Sequence, residues 1–423
     1  MLMRWWTWVL LAAIAQAPTA PYTALEHRRS ELLFHTAVTL SAAAGPAAFW
    51  WHSQRVLTHG SAHERELIDH LVFAAAEPLM RRLVHVPGEL RFTFARLHSL
   101  FDRGFPAATD CVLSAFQTTR FRVEDLPRLL SGLRIPETFV ASGHRFLGEE
   151  GLLIMLTRFA YPGRNSQLAE QAGRWPSATS SCFNWMVQYL YDTFDYLRDW
   201  RSLAAWVDHF PVFADAIHAK GSPLRTLFGF IDGTVQAVAR PGRHQGVLYN
   251  GNDRVHSLKW QGIMLPNGIM PFPFGPICGS NHDAEMLRLS GLFDALAHIM
   301  QHADRTYALY GDLAYPNHRF MYRPFEGAQP GSWQDVFNLA MRACRVSVEW
   351  GFGKMVNIFQ YLNHEENLKV LKQPVGLYFP VAAILANCHT CLYGSITGSY
   401  FDLEPPSLED YLSGRRLTRP RGR

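Results

Sequence analysis

Apolar positions along the chain fall into two textures. From Glu64 to about Trp206 they recur at spacings of three and four, through Leu67, Leu71, Ala74, Ala75, Leu79 and Leu83 with an interruption at Pro78, and again through Leu126, Leu129, Leu130 and Leu133. That period predicts helices, and without any sustained alternation this half is expected to be all α. Beyond about residue 224 the texture becomes strand-like.

Within the helical half, three consecutive segments have a recognisable order. Glu149 to Ala160 (EEGLLIMLTRFA) is apolar and opens with acids at its positive end. Ser166 to Ala172 is short and stops at Gly173, and Ser177 is placed to cap a third helix carrying Phe183, Met186, Val187 and Leu190. Helix, short helix, glycine turn and longer helix is the order of a helix-turn-helix, expected near 149–195; an ordinary helical hairpin bundle gives the same pattern. In the first case Ser177, Thr179, Ser180 and Asn184 face the major groove with Arg174 near the backbone.

The strand-like half opens with Thr226 to Ala239, TLFGFIDGTVQAVA. Asp232 lies on or at the end of a buried strand, or else forms an Asp-Gly hairpin turn. A Gly-rich basic loop, Arg240 to Arg254, precedes His256 to Leu265, the turn Pro266-Asn267-Gly268, and Ile269 to Phe274, which together spell a hairpin. Ala284 to His302 places Met286, Leu289, Phe293, Leu296 and Met300 on one helical face. Tyr307 to Tyr310 is a short strand ending at Gly311-Asp312. Asp335 to about Phe359 then reads as a helix with Phe337, Met341, Cys344, Val348 and Phe352 in one stripe and Arg342, Arg345 and Glu349 beside it.

Composition adds limits. The chain has 423 residues, 48% hydrophobic and 18% charged, which indicates a globular protein. Net charge is +4, but Arg415, Arg416, Arg419, Arg421 and Arg423 crowd the end without an acid; without those five the balance is about −1. A nucleic-acid surface must therefore be local. Six scattered cysteines point to reduced thiols, and Cys388-His389-Thr390-Cys391 lacks a second ligand pair for zinc. Trp5 to Ala15, ending in Ala15-Gln16-Ala17, has the outline of a secretory signal, is too short to span a bilayer, and is followed by Pro18. A packed or irrelevant leader is the preferred reading, with a secretory or membrane-associated location as the alternative.

Two acids ending neighbouring strands and a third on a helix crossing them can converge on hard cations such as Mg²⁺, which take oxygen ligands. Carboxylates brought together repel and raise each other's pKa, which a cation relieves. Two metals about 3.5–4 Å apart are a recurring device for phosphodiester displacement.

FIDGT around Asp232, HSLKWQ with the PNG turn, GSNHDA at Gly279 to Ala284, GDLAYP at Gly311 to Pro316, RVSVEWGFG at Arg345 to Gly353 and NCHTCLYG at Asn387 to Gly394 resemble the DDE superfamily endonucleases of the Harbinger (PIF) transposase type. The resemblance covers roughly Glu124 to Tyr411. It implies a ribonuclease-H-like α/β fold, metal-dependent cleavage of DNA with or without strand transfer, and a pair of Mg²⁺ or Mn²⁺ ions. Catalytic and metal-binding positions carry over to Asp232, Asp312 and Glu349, which stand 80 and 37 positions apart. His282 and Asp283 match a further motif, although helix capping explains Asp283 equally well, and Arg345 is expected to orient Glu349. Relatives of this type also imply a separately encoded Myb-like partner, homo-oligomers and a nuclear location, and some are domesticated DNA-binding or scaffold proteins without catalysis.

The expected organisation is an apolar leader and variable segment (1–63), a helical domain (64–223), the nuclease domain (224–400) and a basic tail (401–423). DNA contacts are expected from Arg240, Arg243 and Lys259, with His244 and His256 nearby, and from Arg174 and Asn184. No membrane partner is expected.

Overall fold

The computed structural model describes residues 116–417, all within one compact unit spanning 88–423. The apolar leader, the helix expected over 67–83, Cys111 and the arginines Arg419, Arg421 and Arg423 lie outside the described residues.

The first half of the described chain is mainly helical: α1 (Leu126–Gly132), α2 (Gly148–Ala160), α3 (Asn165–Ala172), α4 (Pro176–Thr193), α5 (Trp200–Ala204) and α6 (Phe210–Ala219). It is not all α. Strands β1 (Thr138–Ala141) and β2 (His144–Leu147) pair antiparallel across a Ser142-Gly143 turn whose two residues both have positive φ, +47° and +80°. Such a turn matches the right-handed twist of the strands it joins. Nor is this half separate from the rest, because α4 packs on the apolar helix α11 (Val375–Tyr393) of the second half. Phe159, Phe183, Tyr361 and Tyr378 meet edge to face where the halves join.

The second half is built on a sheet ordered β4 (Tyr249–Asn250), β5 (Val255–Met264), β3 (Leu227–Ala237), β7 (Ala308–Tyr310) and β8 (Met321–Tyr322), with β6 (Phe274–Cys278) also pairing β5. Strand β3 is antiparallel to β5 and parallel to β7. The PNG turn forms as expected, the Gly268 N–H donating to the Leu265 carbonyl. The return strand, however, starts only at Phe274, after the buried stretch 269–273.

One face of the sheet is covered by α10 (Trp333–Ile358) and α11, with Phe352 over Gly262 and Phe379 stacked on Trp260. Helix α10 is capped by Ser332, whose hydroxyl accepts the Asp335 N–H, and buries Met341, Cys344, Val348 and Met355. Each such side chain contributes roughly 1.5–3 kcal/mol. The other face meets α8 (Asp283–Ser290), where Met286 lies against Gly233. The single helix expected over 284–302 is two, α8 and α9 (Leu292–Ile299), because Gly291 adopts φ +61° and ends the first; Leu289 is consequently exposed. Residues 401–413 do not begin a free tail. Helix α13 (Leu408–Ser413), which follows α12 (Ile396–Phe401), packs on α11 and α1, and the Asn387 amide donates to the Tyr411 hydroxyl in the interior.

Candidate active site

Strand β3 is buried without a break from Leu227 to Ile231, as a run covered on both faces should be, and becomes half-buried at Asp232. Asp232 is paired within the strand, opposite Gly262 of β5, and is not a hairpin turn. On its other side β3 runs parallel to β7 with Phe230 beside Tyr310, so Asp232 and Asp312 each stand two residues beyond a paired position. Carboxyl ends of adjacent parallel strands are where open α/β sheets bind ligands. Gly311 makes the sharp exit possible: a Cβ there would lie 2.6 Å from the ring of Tyr315.

Glu349 arrives from α10, one turn after Arg345. The Arg345 guanidinium donates to the Asp232 Oδ2 at 2.8 Å through Nη1 and to the Glu349 Oε1 at 3.3 Å through Nη2. Side-chain exposure is 18% for Asp232, 22% for Arg345 and 57% for Glu349, so the site grades from half-buried at the strand to open at the helix. Asp232 also accepts its neighbour's N–H, from Gly233, at 3.0 Å, and Asp312 accepts the Ala314 N–H at 2.9 Å. Burial pushes the Asp232 pKa above the usual carboxylate range; the Arg345 charge pulls it back and the charge of Asp312 pushes it further up.

The donor set is all carboxylate oxygen, which fits a hard divalent cation. A positive charge already lies between two of the three acids. Among the described residues, however, no three His, Cys, Asp or Glu side chains are drawn close enough together to hold a metal. The guanidinium occupies the space between Asp232 and Glu349.

The remaining expected residues divide. Asp283 is the first residue of α8 and not its cap; the cap position belongs to His282, which is exposed and makes no capping hydrogen bond. Asp283 instead accepts from the Lys259 ammonium at 3.2 Å beside Gly233. Lys259 is therefore mostly buried and committed to Asp283, and presents no free charge for a phosphate. Arg240 and Arg243 are exposed, with Arg240 donating to Gln245 at the start of the short helix α7 (Gln245–Leu248). His244 is exposed and His256 half-buried.

Arg174 corrects the sequence reading. Its guanidinium forms a bidentate pair with Glu150 at 2.7 and 2.9 Å, lies over the Phe146 ring, and leaves the side chain 4% exposed, so it cannot line a DNA groove. Asn184 accepts from the Tyr378 hydroxyl of α11, and Thr179 is fully buried. The helices α2, α3 and α4 come in the expected order with Gly173 left-handed between the last two, but these polar residues of α4 face inward. Ser177 is no cap either; Pro176 starts the helix after Trp175.

Sequence reasoning missed Tyr315. It is 1% exposed, its hydroxyl has no hydrogen-bond partner among the described residues, and its pKa is pushed up by burial and by Asp232, Asp283 and Asp312. An aromatic residue three positions after Asp312 and before Pro316 was the available signal. A cavity of about 860 Å³ is lined by Glu349 with Trp350, Lys354, His389 and Thr390, and by neither Asp232 nor Asp312. The five described cysteines are free, and Cys388 and Cys391 lie on α11 without a metal cluster among the described residues.

Residues 231–387 match a family model described as a DDE superfamily endonuclease, a span that contains Asp232, Asp312 and Glu349. No curated protein and no solved structure matches the chain. The mixed α/β domain with its central sheet is consistent with the ribonuclease-H-like expectation.

Proposed function

We propose that this protein cleaves DNA phosphodiester bonds as a Harbinger (PIF)-like DDE endonuclease, with Asp232, Asp312 and Glu349 holding Mg²⁺ or Mn²⁺, as a pair of ions. The observation that carries the reading is the adjacency of Asp232 and Asp312 at the ends of two parallel strands, with Glu349 tied to the same point through Arg345. Cations bound there supply Lewis-acid activation of the phosphate. The protein's own share is to hold the three carboxylates and to keep Glu349 in line from α10. Exposed Arg240 and Arg243 contact the DNA backbone. Strand transfer, a homo-oligomeric assembly, a Myb-like DNA-targeting partner and a nuclear location belong to the same reading.

Nicking of supercoiled plasmid by the purified full-length chain tests it. Cleavage is expected with Mg²⁺ or Mn²⁺, is abolished by EDTA, and is lost in Asp232→Asn; cleavage by that variant at the wild-type rate would sink the assignment. A second reading, a DNA-binding protein that keeps the fold without catalysis, is favoured by the guanidinium standing among the acids. It predicts a gel shift without metal-dependent nicking.

A further inference from the structure

We infer that Arg345 is an internal stand-in for the cation: it holds Asp232 and Glu349 together while the site is empty of metal and must swing away before a divalent ion can take the same carboxylates. The inference rests on the proposed function, since it presumes that these acids are metal ligands.

Three features of the site support it. First, the guanidinium spans the two acids with different nitrogens, Nη1 to Asp232 and Nη2 to Glu349, so one group of charge +1 offsets part of the charge of two carboxylates that would otherwise repel. Second, it blocks convergence. Its two nitrogens take one oxygen from each carboxylate, oxygens that an ion would need. A guanidinium and a divalent cation cannot occupy the same space, and their charges repel.

Third, the parts differ in their freedom to move. Asp232 sits within β3, which is paired on both sides by β5 and β7. Its backbone is held opposite Gly262 by the β5 ladder, two residues past the last β7 pair. Arg345 is the long, partly exposed member, and rotation about its side-chain torsions releases both acids without disturbing α10. Glu349, one turn further along the same helix and more exposed still, is then free to turn toward Asp232. Arg345 is on this view a positioning residue with two opposed effects: it orders the metal-free site and competes with the ion. Because a ligand's apparent affinity is reduced by the fraction of molecules in the competent state, the competition must show in metal binding itself.

The experiment measures Mn²⁺ binding to the full-length chain by the EPR signal of free Mn²⁺, for wild type, Arg345→Gln, Arg345→Lys and the double variant Arg345→Gln/Asp312→Asn. Thermal midpoints are recorded in EDTA and in Mn²⁺. Arg345→Gln is expected to bind Mn²⁺ about tenfold tighter than wild type, to melt lower in EDTA and to gain more from Mn²⁺. Arg345→Lys, whose ammonium reaches one carboxylate at a time, is expected to bind tighter than wild type by a smaller factor and carries the test if the glutamine variant does not fold. Adding Asp312→Asn must weaken binding.

Wild-type binding that is unchanged or weakened by both arginine substitutions overturns the inference and leaves the proposed function standing. Failure of every chain to bind Mn²⁺, or binding indifferent to Asp312→Asn, overturns both.

Discussion

Arg345 on α10 and Asp232 on β3 are joined at 2.8 Å, and this contact ties the helix that carries the third acid to the strand that carries the first. The pair is half-buried and shares its cation with Glu349, so the three side chains behave as one electrostatic unit. Asp312 enters that unit from the next strand by repulsion, through its effect on Asp232. Asp232 and Glu349 are thus held on a single guanidinium, with Asp312 beside the first of them.

If the acids act together, removing any one should stop the reaction without unfolding the chain. Asp312→Asn and Glu349→Gln are each expected to lower plasmid nicking by at least about a hundredfold, with unchanged far-UV circular dichroism. Asp312 is half-buried and Glu349 largely exposed, so neither substitution opens a cavity. Nicking within a few-fold of wild type in either variant would remove that residue from the mechanism.

The Glu150–Arg174 pair should matter to stability and not to DNA. Both side chains are essentially buried, at 0% and 4% exposure, and the guanidinium also donates to the Arg145 carbonyl. Removing one partner leaves a buried charge unpaired, at about 3–5 kcal/mol. Arg174→Met and Glu150→Gln are expected to lower the unfolding free energy by that much in urea titrations. Loss of DNA affinity in Arg174→Met with unchanged stability would restore the groove-facing reading of this residue.

What the chain announced in advance was the local framework of the candidate site. The apolar run into Asp232, the short strand before Asp312 and the stripe on α10 are local patterns, and the parallel pairing of β3 with β7 follows from a helix-containing connection between them. Features decided by distant partners were not legible. Arg174 reads like any basic residue at a helix start until Glu150, 24 positions away, claims it. Lys259 is taken in the same way by Asp283, 24 positions on, from the helix packed on the sheet's face. The β1–β2 hairpin was missed, because two four-residue strands around Ser142-Gly143 are too short to disturb the helical period on either side. Arg345 was assigned to Glu349 by its spacing of four, whereas its shorter contact is to Asp232, 113 positions earlier in the chain.

Lys354 should give the protein an alkaline dependence of stability. Burial lowers its pKa to about 8, although its ammonium donates to the Thr390 hydroxyl and the Gly394 carbonyl. Between pH 8 and about 10.4, the ordinary lysine value, the unfolded chain binds this proton and the folded one does not, so the group's contribution to stability rises with pH across that window. Relative to Lys354→Met, the wild-type chain should gain on the order of 2 kcal/mol from pH 8 to pH 10.4. A difference that stays flat over this range would mean that the ammonium remains charged in the fold.

DNA affinity should follow exposure and not mere basic character. Arg240 and Arg243 lie in the loop after β3 with their residues exposed, whereas Lys259 and Arg174 have spent their charges on Asp283 and Glu150. Each phosphate neutralised on duplex DNA contributes about 0.9 to the slope of log affinity against log salt concentration. Arg240→Ala and Arg243→Ala are therefore each expected to weaken binding to a duplex of arbitrary sequence and to reduce that slope by about 0.9. Lys259→Met should leave the slope where it was. Anisotropy titrations between low and moderate salt separate the cases, and a slope that falls for Lys259→Met but holds for the two arginine variants would move the DNA path from this loop to the α8 side of the sheet.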